Sequence, residues 1–159
     1  AEDGIRDRDV TGVQTCALPI LNGFGGYGAI AVQVQVQNKK VTIKRVCGVA
    51  DQGVTVNKDQ TEAQWQGGIV DGLATACLQQ VTVSKGVVVQ SNWGDYPTFT
   101  LRNVPPIEFK TVESGPGGMG GLSEMATPLV AGPLANAIYF ATGIRVRELP
   151  IRKTKLTIA

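Results

Sequence analysis

The sequence predicts an α+β fold, with antiparallel hairpins forming a sheet and two helices packed on one face. Three observations predict it. Residues 27–37 (YGAIAVQVQVQ) alternate Val32, Val34 and Val36 with Gln33, Gln35 and Gln37, the period of a strand with one buried face. Residues 59–80 and 129–142 switch to helical spacing. The 159 residues, 43% hydrophobic and 18% charged, are enough for one domain with a modest core.

Taken in order, the chain opens on AEDGIRDRDVTGVQTCALPI. Residues 11–20, TGVQTCALPI, match the in-frame translation of a widely used short-read sequencing adapter, so residues 1–20 are read as an assembly artefact. Residues 21–159 are then expected to be a fragment of a longer domain, since they begin inside the glycine-rich run LNGFGGYG, and any leader peptide would lie upstream. That run contains a formal GxGxxG from Gly23 to Gly28, but a strand and not a helix follows it. The kinase reading, with Lys44 as the strand lysine, also fails for want of an HRD or DFG word. A flexible lead into the strand is the better account. After Asn38-Lys39-Lys40 turns the chain, residues 41–49 continue a hairpin, with Val41, Ile43 and Arg45 on one face and Thr42, Lys44 and Val46 on the other.

Helical spacing over 59–80 is carried by Ala63, Ile69, Val70, Leu73, Ala74 and Cys77 around the pair Gly67-Gly68. A glycine pair in a helix costs stability, so it points to close approach by backbone or ligand. Residues 81–83 and 87–90 form a second hairpin across Ser84-Lys85-Gly86, and residues 107–112 a further strand after Pro105-Pro106. The glycine-rich loop GPGGMGG at 115–121 leads to Thr127-Pro128, read as an N-cap and first-turn proline, and Gly143 ends the last helix.

Composition excludes several kinds of chemistry. Histidine is absent, which removes serine–histidine triads and histidine-based zinc sites from this chain, and no metal-ligating residue set is assigned. Without residues 1–20, Cys47 and Cys77 remain, distant and outside any CxxC pattern, and read as small buried apolar residues. Residues 21–144 balance 8 basic against 8 acidic side chains, while Arg145, Arg147, Arg152, Lys153 and Lys155 oppose only Glu148. This basic tail, without interleaved aromatics, is a solvated end or docking edge and no nucleic-acid surface. No run of eighteen apolar residues occurs, so no membrane span is expected.

Two places could carry chemistry. Glu124 follows the glycine loop, three residues before Thr127; backbone amides such as those of Gly120 and Gly121 can approach an oxo group, and a carboxylate there can serve as general base. Local pattern alone favours a solvated loop glutamate. Gln64 and Gln66 flank Trp65 ahead of Gly67 and Gly68, and amides can read the edge of a pterin, although an ordinary polar helix face has the same spacing.

Together the words resemble a known family. Asp51-Gln52-Gly53 with Val56-Asn57, AQWQGGIVDGLATA from Ala63, VVQSNWGDYPTFTL from Val88, VPPIEFKTVES from Val104 and GPLANAIYFATGIRVRELPI from Gly132 look, in this order, like the C-terminal part of the molybdopterin-binding large subunit of the xanthine dehydrogenase/aldehyde oxidase family. The likeness is to the isoquinoline 1-oxidoreductase β-subunit type. It implies a molybdenum cofactor, usually of the cytosine dinucleotide form in bacteria, a small-molecule substrate, an iron–sulfur small subunit as electron acceptor, and the rest of the large subunit as further partner. It implies hydroxylation of an aldehyde or N-heteroaromatic with water as oxygen source. Glu124 maps to the family's general base when register is taken from the last helix, Gln64 to its pterin-contacting glutamine, and Gly67 and Gly68 follow in register. Gly121-Leu122-Ser123 must be counted as an insertion, Met125 replaces the usual proline and Gln66 an acid. A fragment lacking the upstream cofactor loops is expected to be inactive alone. The compartment, cytoplasmic or periplasmic in a bacterium, is left open. The competing reading is a non-catalytic α+β module that binds a partner through its hairpin edge and tail.

Overall fold

The computed structural model describes residues 13–17, 21–113, 118–153 and 156–158. Most of the segment read as adapter, Gly115, Pro116 and Gly117 of the glycine loop, and Lys155 of the tail lie outside the described residues. In chain order the elements are β1 (Val13–Ala17), β2 (Leu21–Gly23), β3 (Gly26–Gln37), β4 (Lys40–Asp51), α1 (Lys58–Cys77), β5 (Val83–Ser84), β6 (Val87–Val88), β7 (Ile107–Thr111), α2 (Ala126–Thr142) and β8 (Thr157–Ile158). The α+β class holds. The main sheet runs β1-β3-β4-β7, with β2 also on β3 and β8 also on β4, while β5 and β6 form a separate hairpin.

β3 and β4 form the expected antiparallel hairpin, closed by Asn38 and Lys39 at φ 50° and 65°. Both central residues in the left-handed region match the strand twist. The glycine-rich run is likewise a tight hairpin turn and not a loose lead-in: Phe24 and Gly25, at φ 52° and 76°, join β2 to β3. One expected face is corrected. Gln33 pairs with Arg45 but Val34 with Ile43, so Lys44 is an extra residue, and the β-bulge turns Val46 into the core and Arg45 out to Glu108 at 3.2 Å. β7 and β8 run parallel to β4, which antiparallel hairpins alone did not anticipate. The chain crosses from β4 to β7 through α1 and re-joins the sheet in the same direction.

Ile30, Val32 and Val34 of β3 and Val41, Ile43, Val46 and Ala50 of β4 make one buried sheet face. α2 lies over β3 and α1 against β7, and the two helices touch each other along that same face. α1 starts one residue earlier than its spacing implied and stops at Cys77. Asn57 caps it, its side-chain oxygen accepting from the Gln60 N–H at 3.0 Å. α2 starts at Ala126, and Thr127 does not cap it. The Thr127 hydroxyl instead donates to the Gly68 carbonyl at 3.2 Å and ties α2 to α1, while Gly143 ends α2 in the left-handed conformation as expected.

Glycine makes that helix contact possible. A Cβ on Gly68 would sit 2.7 Å from the Ala126 methyl, and one on Gly72 would sit 2.6 Å from the Thr127 carbonyl and 2.9 Å from Val130. Backbone cannot yield as a flexible side chain can. We expect Gly72→Ala to destabilise the chain by about 1–3 kcal/mol in urea unfolding, despite alanine's better helix propensity. A stabilised variant would show that the helices do not meet there.

Cys47 is half-buried and Cys77 fully buried, both free thiols. Burial pushes the Cys77 thiol from the usual 9.0 up to about 12. Native protein therefore holds this proton more tightly than unfolded chain, so the contribution to stability is complete below the usual thiol value and is lost as pH rises toward the folded one. We expect Cys77 to resist a thiol reagent at pH 8 until urea unfolds the chain, read by mass of the labelled peptide; prompt labelling of the native chain would contradict its burial.

The tail turns back on the molecule. Ile151 and Leu156 are buried, β8 pairs with the start of β4, and the Arg145 guanidinium lies 3.7 Å over the Tyr139 ring. Among the described residues no helix is long and apolar enough to cross a membrane.

Candidate functional site

The end of β4, the opening of α1 and the loop before α2 converge on an open pocket of about 560 Å³. Helical spacing supplies one wall. Asn57, Gln60, Thr61 and Gln64 recur at intervals that return to one side of α1, and all four line the pocket. Gln52, buried at 4% exposure, also lines it, with Val54 and Val56. Met119, Gly120, Leu122 and Ser123 form the opposite side.

Backbone hydrogen bonds hold that opposite side in place. Gly53, at φ 74°, bridges Met119; the Gly120 N–H donates to the Gln52 carbonyl at 2.7 Å and the Gly121 N–H to the Phe24 carbonyl at 2.7 Å. A Cβ on Gly120 would lie 2.6 Å from the Gly25 carbonyl, and one on Gly121 would press into the Phe24 Cβ. These glycines let the loop pack directly on the β2–β3 turn. Their N–H groups are spent on carbonyls, so the loop presents its side chains, and not these two amides, to the pocket.

Glu124 follows directly. It is exposed, between Ser123 on the pocket wall and Met125, which is fully buried beside Gly26. The structure thus brings Gln64, Gly120 and the segment leading into Glu124 to one place. Gly121 stands at the back of the loop. Gly68 packs under Ala126, and Gly67 faces open space; neither lines the pocket. Sequence reasoning gave no role to Gln52, Asn57, Gln60, Thr61 or Ser123. The spacing of Asn57, Gln60 and Gln64 was a readable signal, whereas the burial of Gln52 needed the fold.

The chemistry of the wall is uniform. The described residues lining it carry amides, hydroxyls and apolar groups but no formal charge. No group of three or more His, Cys, Asp or Glu able to hold a metal ion occurs among the described residues. Among the described residues of the lining, Gln52 alone has a buried side-chain polar atom without a partner: its amide nitrogen donates to the Thr55 hydroxyl at 2.7 Å, and its Oε1 is unmatched. A neutral ligand whose edge alternates donors and acceptors, as a pterin's does, fits such a wall, and a bare anion does not.

Comparison with known proteins gives the same direction. The chain is 31% identical over 149 residues to isoquinoline 1-oxidoreductase subunit beta of Brevundimonas diminuta, covering 92% of this chain and 19% of that protein. Quinoline 2-oxidoreductase from Pseudomonas putida 86 shares the fold at TM-score 0.72 and 24% identity, covering 79% of this chain and 17% of that one. The aldehyde oxidoreductase of Desulfovibrio desulfuricans matches at TM-score 0.65 and 30% identity, over 79% of this chain and 14% of that one. The chain therefore spans less than a fifth of the length of each. The family described as molybdopterin cofactor-binding domain matches residues 16–105, more than half of the sequence, and this chain belongs to that family.

Proposed function

We propose that residues 21–159 are the part of a molybdenum hydroxylase large subunit that closes on the pterin of its cofactor and supplies the catalytic base, and that residues 1–20 are adapter sequence. The observation that carries this reading is one pocket with a neutral amide wall, shared by Gln64 and by the loop that runs into Glu124. When bound, the cofactor supplies a Lewis acid and a two-electron acceptor. Gln64, with Asn57 and Gln60 beside it, holds the pterin edge. The loop from Met119 to Ser123, stitched to Gln52 and Phe24, leads directly into Glu124. Glu124 takes the proton from the oxygen nucleophile as the substrate carbon is attacked. Gly67 and Gly68 act less directly: Gly68 lets α2 pack on α1 and so places the end of the loop, and Gly67 keeps the outer surface of α1 bare.

In the whole protein the substrate is an aldehyde or an N-heteroaromatic, as the names of the similar isoquinoline, quinoline and aldehyde oxidoreductases support, and water is the oxygen source. The cofactor is the cytosine dinucleotide form, and electrons leave through an iron–sulfur subunit. The rest of the large subunit completes the cofactor site, in the cytoplasm or periplasm of a bacterium. Glu124→Gln in the full-length protein tests the assignment: turnover lost with molybdenum retained supports it, and unchanged turnover moves the base elsewhere.

A further inference from the structure

We propose that the segment from Gln79 to Leu101 is a docking arm, and that its occupant is the remainder of the large subunit, held permanently against it. The inference rests on the reading of the chain as one part of a molybdenum hydroxylase large subunit. β5 and β6 pair with each other and stand apart from the main sheet. Val83 is opposite Val88, so both lie on one side of the hairpin, and Val87 with Ser84 lies on the other. Val81, Val83, Val87, Val88 and Val89 are all exposed, so neither side rests on the described core. A two-stranded hairpin alone in water is at best marginally stable. One with bare valines on both sides draws its stability from whatever covers it.

The loop after β6 adds two larger anchors. Trp93 is 86% exposed and Leu101 98%. The backbone that carries them is fixed by its own polar side chains. Asn92 Oδ1 accepts from the Trp93 N–H at 2.8 Å, the Asp95 carboxylate accepts from the Ser91 N–H and hydroxyl at 3.3 Å, and Asn103 Oδ1 accepts from the Thr100 N–H at 2.6 Å. Phe99, between the two anchors in sequence, is buried and roots the arm in the core. Large apolar side chains held ready on an ordered backbone are what the centre of a buried interface uses. Charge decides the kind of partner. Residues 79–101 carry only Lys85 and Asp95, and Asp95 is engaged with Ser91. A surface this apolar fits a permanent contact, since one that returns to water on dissociation is more polar. The remainder of the large subunit supplies such a contact: the chain spans less than a fifth of each similar protein, and the arm lies inside the segment that matches the family.

The test uses the full-length holoenzyme. Photo-leucine, close to leucine in shape, replaces leucine during expression; after irradiation the products are sorted by mass and the links from position 101 are mapped by mass spectrometry. The expected product has the mass of a single large subunit and joins position 101 to a peptide of that subunit outside residues 21–159. A link to a second large subunit or to the iron–sulfur subunit overturns the occupant. A position 101 that reacts only with water or with residues 21–159 overturns the docking arm itself. Hydroxyl-radical oxidation of the unlabelled holoenzyme gives a second reading. Trp93 is expected to react at least about fivefold more slowly than in its free peptide, as a residue sealed from water does, and a smaller ratio overturns the proposal. Molybdenum and pterin content of the same preparation keeps the two readings apart. A preparation that holds neither overturns the hydroxylase reading whatever position 101 meets, whereas a loaded one with Trp93 freely oxidised overturns the arm alone.

Discussion

Glu124→Gln in the full-length protein is expected to lower turnover by about 10²- to 10⁴-fold while molybdenum stays bound. Glutamine has the same shape but cannot take a proton near neutral pH. The fold should not notice the change, because Glu124 is exposed and makes no hydrogen bond or ion pair with any described residue. Its position comes from its neighbours. Met125 is fully buried, Leu122 packs against the core, and the Gly121 N–H is tied to Phe24, so the chain is anchored on both sides of Glu124. The measurement is steady-state turnover alongside metal content. Loss of metal together with turnover would make the effect structural and leave the base unassigned.

The second large effect is on stability. Trp65→Ala is expected to cost about 3–5 kcal/mol in urea unfolding, a large part of the roughly 5–15 kcal/mol that holds a domain together. Trp65 is 0% exposed and stacks on Phe109 of β7, with ring centroids 4.8 Å apart and planes 15° from parallel. Its ring also fills the space over Gly28, where a Cβ would come within 2.8 Å of it. It therefore joins α1 to both β3 and β7. One term works the other way: the indole N–H is buried without a partner, and removing it recovers part of the loss. The lower end of the range is the better expectation. A loss under about 1 kcal/mol would mean that the helix does not seat on the sheet through this ring. Since Gln64 next to it faces the pocket, the pair Trp65→Ala and Gln64→Leu separates folding from ligand holding.

Much of the fold was legible because its signals are local. Alternating valine and glutamine in β3 needs only a buried face and a wet one, and Asn38 at the turn needs only its tolerance of positive φ. Gly143 at the end of α2 was readable for the same reason. At the site, the words around Gln64 and Glu124 were found through resemblance, and the structure adds that the loop before Glu124 faces the wall bearing Gln64.

Other features depend on partners distant in the chain. Lys44 becomes a bulge because Val46 gains more by burial than a regular ladder would. Thr127 carries the side chain of a good cap yet bonds Gly68, since two helices that touch through glycine bring that carbonyl within reach. The Gly120 and Gly121 amides looked free until the residue after β4 and the β2–β3 turn were seen to take them. Periodicity and turn chemistry thus specify which stretches are strand and helix, because each residue there answers to neighbours a few positions away. The parallel β7, the stitched loop and the unmatched oxygen of Gln52 were set only when distant segments met, because burial and hydrogen-bond satisfaction are properties of the assembled surface.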